Sequence, residues 1–124
     1  MSWKYIAKQN ESKVGGIECQ IVLEDGSVKI LSNLGYHSPD GFQIGYGGSG
    51  PADLAYSIVM DFLLRSKKCS AINVAGKTEF LHQQFKNDFI RVATQLLQVD
   101  SDYIEEWLTA EIEKMKPCQE NNEN

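Results

Sequence analysis

The chain has 124 residues, of which 42% are hydrophobic, and its 17 acidic and 12 basic side chains give a formal net charge of −5 at pH 7. This length suits one compact domain, and the acidic balance argues against a DNA- or RNA-binding protein, in which several lysine or arginine side chains neutralise phosphates together. Three scattered cysteines favour neither a disulfide framework nor a zinc site. No apolar run approaches the roughly 18 residues of a membrane helix, so we expect a soluble protein of a reducing cytoplasm that carries no export signal.

The N-terminal third of the chain has the two-residue periodicity of β-strands. Residues 4–8 and 17–23 predict two strands, and the second is rich in β-branched side chains. The sequence Glu24-Asp25-Gly26-Ser27 predicts a tight hairpin turn, because Asp-Gly tolerates positive φ angles, and residues 28–31 predict the return strand. Residues 42–46 alternate in the same way and predict a fourth strand of a small antiparallel sheet.

From Pro51 onward the apolar spacing becomes that of helices. The first helix is predicted to run from Pro51 to about residues 65–68, where basic side chains suit the negative end of the helix dipole. The second is predicted over residues 78–97. Its predicted inward face comprises Leu81, Phe85, Phe89, Val92 and Leu96, and His82, Asn87 and Arg91 are predicted to lie away from that face.

A third helix is predicted to begin at Ser101 or Asp102, because Asp102 and Glu105 have the spacing of a capping box. Its predicted buried side chains are Ile104, Trp107, Leu108, Ile112 and Met115. The whole pattern predicts a single α+β domain over residues 1–117, with about four N-terminal strands packed against three C-terminal helices. Residues 118–124 predict a disordered polar tail.

The most unusual segment is Gly45-Tyr46-Gly47-Gly48-Ser49-Gly50-Pro51, since five of the ten glycines lie between residues 41 and 50. Proline is accepted in the first turn of a helix, so the segment predicts a glycine-rich turn that leads directly into a helix start. Such a start points backbone N–H groups outward at the positive end of the dipole, which is how proteins hold phosphate. The alternative is a purely structural turn, with Asp53 satisfying the free N–H groups and repelling an anion.

Other segments that approach known catalytic or metal-binding motifs do not fit them. Gly47-Gly48-Ser49-Gly50 is followed by proline, so it is not a nucleophile elbow. Residues 71–78 approach a Walker phosphate loop, but the context favours a capped helix start at Thr78. His37 and His82 have no metal-ligand spacing and are predicted to lie in a loop and on a helix surface. The sequence therefore predicts neither an enzyme nor a metal or cofactor.

Side chains of the second helix supply the remaining candidates. Phe80, Phe85 and Phe89 have helical spacing, which favours a core position over a base-stacking platform. Asn87 and Arg91 lie one turn apart, where a guanidinium can clamp a phosphate and an amide can read a base edge. The alternative for both is a solvated helix face.

The run from Gly41 to Leu63, with the G-Y-G-G-S-G-P segment at its centre, resembles a family of small phage, prophage and plasmid proteins. Members carry this segment before a helix, then a second helix with phenylalanine and a Trp-Leu ending like Trp107-Leu108. The resemblance spans roughly residues 17–108. Within the family, the size and arrangement look like the anti-Thoeris proteins, which sequester cyclic ADP-ribose isomers made by bacterial TIR-domain defence enzymes and assemble as dimers or higher oligomers.

The resemblance implies a phage or prophage anti-defence protein in the host bacterial cytoplasm that binds a cyclic ADP-ribose isomer without cleaving it, as a homodimer or higher homo-oligomer. The candidate ligand-binding residues are Tyr46, Gly47, Gly48, Ser49, Gly50, Arg65, Phe85, Asn87, Phe89 and Arg91. Backbone N–H groups or arginine would hold the pyrophosphate, and an aromatic face and an amide would hold adenine. The alternative function is a phage-encoded module that binds and inhibits a host or defence protein.

Overall fold

The computed structural model describes residues 2–10, 16–35, 41–67 and 71–115. The elements in chain order are strands β1 (Trp3–Gln9), β2 (Ile17–Leu23) and β3 (Val28–Ile30), helices α1 (Ser49–Ser66) and α2 (Ala71–Phe85), a π-helix (Lys86–Ile90), strand β4 (Leu97–Asp100) and helix α3 (Ser101–Met115). The protein is therefore an α+β protein with a four-stranded sheet and three helices, as predicted. The boundary at residue 117 and the tail over 118–124 lie outside the described residues, as do His37, Cys69 and Cys118.

The sheet is antiparallel throughout, in the order β3-β2-β1-β4. Tyr5 in the central strand β1 faces Ile21 of β2 and Val99 of β4. These three residues are buried and belong to one core with the apolar side chains of the helices. The predicted hairpin is confirmed: Gly26 has a φ of 90° and the Asp25 carboxylate accepts the Ser27 N–H at 2.9 Å.

The fourth strand is not where the sequence pattern placed it. Residues 42–46 pair with no strand of the described sheet. Gly41, which precedes them, and Gly45, the fourth of them, have φ angles of 79° and 91°. Phe42 is buried without being part of the sheet. The place beside β1 is taken by Leu97–Asp100, whose side chains alternate between buried and exposed. These residues were predicted as the end of a helix and the loop that follows it.

Helix α1 begins at Ser49, two residues before Pro51, and ends at Ser66. Lys67 closes it in the left-handed conformation, with a φ of 58°, and its N–H reaches the carbonyls of Leu63 and Leu64. The predicted C-terminal boundary is therefore confirmed as far as residue 67, whereas Lys68 lies outside the described residues. The helix is buried along most of its length, which places it at the centre of the domain.

Helix α2 differs most from its prediction. It already runs from Ala71, so Thr78 lies inside the helix, buried, and donates its hydroxyl to the Val74 carbonyl at 2.7 Å. The helical conformation of residues 71–78 excludes both a phosphate loop and a cap at Thr78. His82, predicted on the surface, is only 3% exposed, and its Nδ1 lies 3.0 Å from the Glu79 carbonyl oxygen.

The predicted inward face of this helix holds as far as Phe89, which packs partly buried against the core, and fails at Val92 and Leu96, because the helical segment ends at Ile90. A π-helix has i→i+5 bonding, which shifts the buried face from the positions that a 3.6-residue period gives. Ile90 is consequently buried, and Val92 is exposed in the segment after the helix. Leu96 is also exposed, and Phe80, predicted in the core, is 67% exposed.

Helix α3 begins at Ser101, one of the two predicted positions. The buried Ser101 hydroxyl accepts the Trp3 N–H at 3.0 Å and thereby joins the helix to β1. Ile104 and Leu108 are buried as predicted, but Ile112 is exposed because it lies beyond the end of the packed face. No helix among the described residues is long and apolar enough to cross a membrane.

Candidate anion-binding site

Residues 45–48 form a glycine loop that packs on the end of the π-helix. The Gly45 N–H donates to the Ile90 carbonyl at 3.0 Å, with a φ of 91° at Gly45. A Cβ at Gly45 would lie 3.3 Å from the Ala93 carbonyl oxygen. The positive φ and the close approach both require glycine there, and they fix the loop against the segment that carries Arg91.

The glycine loop ends at Gly48, the N-cap of α1. Gly48 supplies no side chain to bond the first N–H groups of α1, and the first turn contains no acidic residue. Asp53 is the fifth residue of α1 and not the third, and it is fully buried. A Cβ at Gly35 would meet the Asp53 carboxylate, so that side chain packs on the Gly35 backbone. The third helical position predicted for Asp53 is therefore wrong.

Two cationic side chains lie at the glycine loop. The Lys86 ammonium donates to the Gly47 carbonyl at 3.1 Å. Arg91 is exposed, and its Cδ would lie 3.7 Å from a Cβ added at Gly47. The backbone bond from the Arg91 N–H to the Lys86 carbonyl, 2.9 Å long, closes the π-helix and sets these two residues one turn apart. Positive side chains thus add to the positive end of the α1 dipole.

A groove of about 760 Å³ borders the glycine loop at Tyr46. Its lining comprises Lys8, Gln9, Ile17, Gln43, Ile44, Tyr46, Thr94, Gln95 and Leu96. Lys8 carries the only charge among these described residues. We call this the neutral groove. Tyr46 is 47% exposed, and its hydroxyl donates to the Gln43 side-chain carbonyl, which packs against the first turn of α1 at Gly50.

The predicted aromatic candidates differ in accessibility. Phe85 is fully buried, with its ring 4.6 Å from that of Phe89 and 5.2 Å from that of Trp107. Phe89 is half-buried and also contacts the Tyr103 ring at 5.6 Å. Phe85 therefore cannot stack on a ligand and serves the core. Asn87 is exposed on the π-helix between Lys86 and Asp88, as predicted.

Arg65 is not part of this site. It lies sixteen residues along α1 from Ser49, which is about 24 Å at the rise of a helix. Its guanidinium makes two hydrogen bonds of 3.0 Å to the Asp61 carboxylate, which also accepts the Tyr5 hydroxyl at 2.6 Å. Burial, and then the Asp61 charge, raise the pKa of Tyr5 well above its ordinary value. The prediction that Arg65 shares a ligand with the glycine loop is wrong, because Arg65 lies at the other end of α1 and forms an ion pair with Asp61.

The structure thus brings together the backbone of residues 46–50, the Tyr46 ring and the Arg91 side chain, and it leaves out Arg65 and Phe85. Sequence reasoning missed Lys86 and Gln43. The period of an ordinary helix gave no signal for Lys86, because its position depends on the π-helix. Gln43 could have been found from its position just before the glycine segment. It was missed because residues 42–46 were predicted to be a strand. Among the described residues, no group of three or more histidine, cysteine or acidic side chains could hold a metal ion.

The fold and this loop define a small α+β protein with a glycine-rich, cation-flanked helix start. The chain belongs to a family of unknown function, DUF6166, whose family model matches residues 12–110. That match includes β2, the glycine loop, the π-helix and most of α3. Comparison with curated proteins and with solved structures finds no match.

Proposed function

We propose that this protein binds and sequesters a small signalling cyclic nucleotide, a cyclic ADP-ribose isomer, without cleaving it. In this proposal it is a phage or prophage anti-defence protein that blocks TIR-dependent Thoeris immunity in the cytoplasm of the bacterial host. The observation that carries the proposal is the meeting of the α1 start, which has no side-chain cap, with Lys86 and Arg91 at one glycine loop.

The chemistry of the ligand matches the groups at this end of the molecule. A cyclic ADP-ribose presents a pyrophosphate, an adenine and two riboses. The N–H groups at the start of α1 suit phosphate oxygens, and the Arg91 guanidinium can bind them through two hydrogen bonds. The exposed Tyr46 ring offers a face for adenine, and the amides of Gln9 and Gln95 in the neutral groove can bond its edge or a ribose hydroxyl.

Sequestration demands less of the site than catalysis does. A site complementary to the ground state binds its ligand tightly without lowering the barrier to any reaction. The glycine loop offers backbone donors, cations and amides, which are groups for binding and orientation. The bound nucleotide is therefore expected to leave the protein chemically unchanged.

A second copy of the chain is expected to complete the site. The neutral groove is open, and Tyr46 and Leu96, which line it, are large and exposed. Val92, which follows Arg91 in the chain, is also exposed. Apolar side chains at the edge of a polar groove suit a protein interface, so a partner copy would cover both them and the ligand. Native mass spectrometry should then give a dimer or higher oligomer.

A capture-and-release experiment tests this function. The purified protein is incubated with each cyclic ADP-ribose isomer and separated by filtration, and the captured fraction is heated and analysed by mass spectrometry. The proposal expects depletion of at least one isomer from the filtrate and its recovery intact after heating. Recovery of a cleaved product would make the protein a hydrolase, and no depletion of any isomer would reject nucleotide binding.

A further inference from the structure

A second pocket lies at the other end of α1 and is not used by the proposed nucleotide site. Its volume is about 720 Å³, and its floor includes Trp3, Leu23 and Phe62, with the two aromatic rings 5.7 Å apart. A cavity of about 370 Å³ adjoins it and shares Trp3 and Leu23. We call the two together the acidic groove. Its apolar floor and its extent over two neighbouring pockets that share lining residues suit a chain segment better than one small ion.

The rim of the acidic groove is strongly negative. It carries five carboxylates, which belong to Glu24, Asp25, Asp100, Asp102 and Glu105. Among the described residues that line the groove, the cations are Lys4 and Arg65, and the charge of Arg65 is balanced by Asp61. Hydrogen bonds from the Ser27 hydroxyl and N–H lower the pKa of Asp25, so that carboxylate stays ionised.

We propose that the acidic groove binds a basic amphipathic segment of a partner protein. The lysine or arginine side chains of that segment would face the rim carboxylates, and its apolar side chains would contact Leu23 and Trp3 on the floor. Charge complementarity selects the occupant, because a nucleotide or an acidic segment would meet the same carboxylates with repulsion. The groove is thus a second binding site, independent of the glycine loop, and the protein can hold a nucleotide and a protein partner at opposite ends of one helix.

Matched peptides and spermine test whether the acidic groove requires both positive charge and apolar side chains in its ligand. The probe is a fluorescent peptide of about nine residues in which arginine and leucine alternate, long enough to occupy both parts of the groove. A second peptide replaces leucine with serine and keeps the same charge, and a third replaces arginine with glutamate. Spermine is a polycation that has no peptide backbone and no apolar side chains. By fluorescence anisotropy, the first should bind at least about tenfold more tightly than the other peptides or spermine. Equal binding of the serine peptide or of spermine would overturn the proposal, as would no binding of the first peptide.

Substituted variants and the NMR signals of the two tryptophans test whether the first peptide binds in the acidic groove. The double substitution Glu24→Gln with Asp102→Asn should weaken binding of the first peptide by about tenfold. The control Glu79→Gln with Glu106→Gln changes net charge equally at exposed sites outside the groove and should leave the affinity unchanged. In a ¹H–¹⁵N spectrum, the Trp3 indole resonance should shift on peptide addition and the Trp107 resonance should not. Equal weakening by both double variants, or a shift of Trp107 alone, would place binding elsewhere and overturn the proposal.

Discussion

The two ends of α1 differ in charge although a single helix connects them. At the N-terminal end, a glycine loop meets Lys86 and Arg91, and the neutral groove beside it has no carboxylate among its described lining residues. At the C-terminal end, Arg65 is held by Asp61 and the surrounding groove carries five carboxylates. The net charge of −5 is therefore an average over two unlike surfaces. An acidic protein can present a positive potential where backbone dipoles and a few cations converge.

The largest expected effect is a loss of folding stability on substitution of Asp61, at the C-terminal end of α1, without a loss of nucleotide binding at the other end. Asp61→Ala would leave the buried Tyr5 hydroxyl and the Arg65 guanidinium without their acceptor, and should lower the free energy of unfolding by about 2–4 kcal/mol. Asp61→Asn keeps an oxygen for Tyr5 and should cost less. Urea unfolding measures both values. Calorimetric affinity for cyclic ADP-ribose should be unchanged in the folded variants, and a loss in proportion to stability would mean that the two ends are coupled.

The two arginines of the chain give a matched pair of variants. Arg91→Ala should weaken nucleotide binding by about tenfold, equivalent to about 1.4 kcal/mol, with the melting temperature nearly unchanged because the side chain is exposed. Arg65→Ala should do the opposite, lowering the melting temperature and leaving the affinity as it is. Isothermal titration and thermal melts check the pair. If the two variants had the same profile, the assignment of one arginine to binding and the other to folding would be wrong.

A smaller effect concerns alkaline pH at the acidic end. Native Tyr5 keeps its proton above the ordinary pKa of 10.0, whereas the unfolded chain releases it. The native state then binds more protons, so stability is unaffected below that pH and falls as pH rises above it, by at most about 1.4 kcal/mol per pH unit for one group. Tyr5→Phe cannot ionise and should make the decline shallower in urea unfolding at several alkaline pH values. An identical decline in both proteins would contradict this role of Tyr5.

The smallest effect tests the corrected face of α2. Phe80 is exposed, so Phe80→Gln should change stability by less than about 0.5 kcal/mol. Phe85→Leu, a substitution at a fully buried ring, serves as the control that must destabilise. Thermal denaturation of the two variants and the unsubstituted protein measures both changes in stability. A large loss for Phe80→Gln would indicate that another surface covers this ring, such as a second copy of the chain.

Local signals were enough to predict some elements and not others. The hairpin at Asp25-Gly26 and the strands β1 and β2 follow from turn chemistry and alternation. Helix α3 begins at Ser101, one of the two predicted positions, but Asp102 lies in its first turn and is not its cap. The fold class follows from the change of period after Pro51. The fourth strand does not, because residues 42–46 and 97–100 both alternate, and only the pairing with β1 decides between them.

The candidate site was predicted in part for a similar reason. Glycine density marked the loop, and Arg91 was named on helical spacing. Whether the loop meets Arg91 depends on the bond from Gly45 to Ile90, between residues far apart in the chain. The contact of Lys86 depends on a π-helix, which the 3.6-residue period cannot indicate. Arg65 was named because it is one of only two arginines that could hold a pyrophosphate. The sequence does not show that Arg65 donates to Asp61, whose carboxylate also accepts the Tyr5 hydroxyl.

The most direct measurement of nucleotide binding at the glycine loop is a ¹H–¹⁵N titration with each cyclic ADP-ribose isomer. At least one isomer should shift the backbone amide resonances of Gly47, Gly48, Ser49 and Gly50 and the Arg91 side-chain signal. The Trp3 indole resonance in the acidic groove should stay in place. No shift in the loop amides with any isomer at about 1 mM, where even weak nucleotide binding is detectable, would contradict the account, as would shifts confined to the acidic groove.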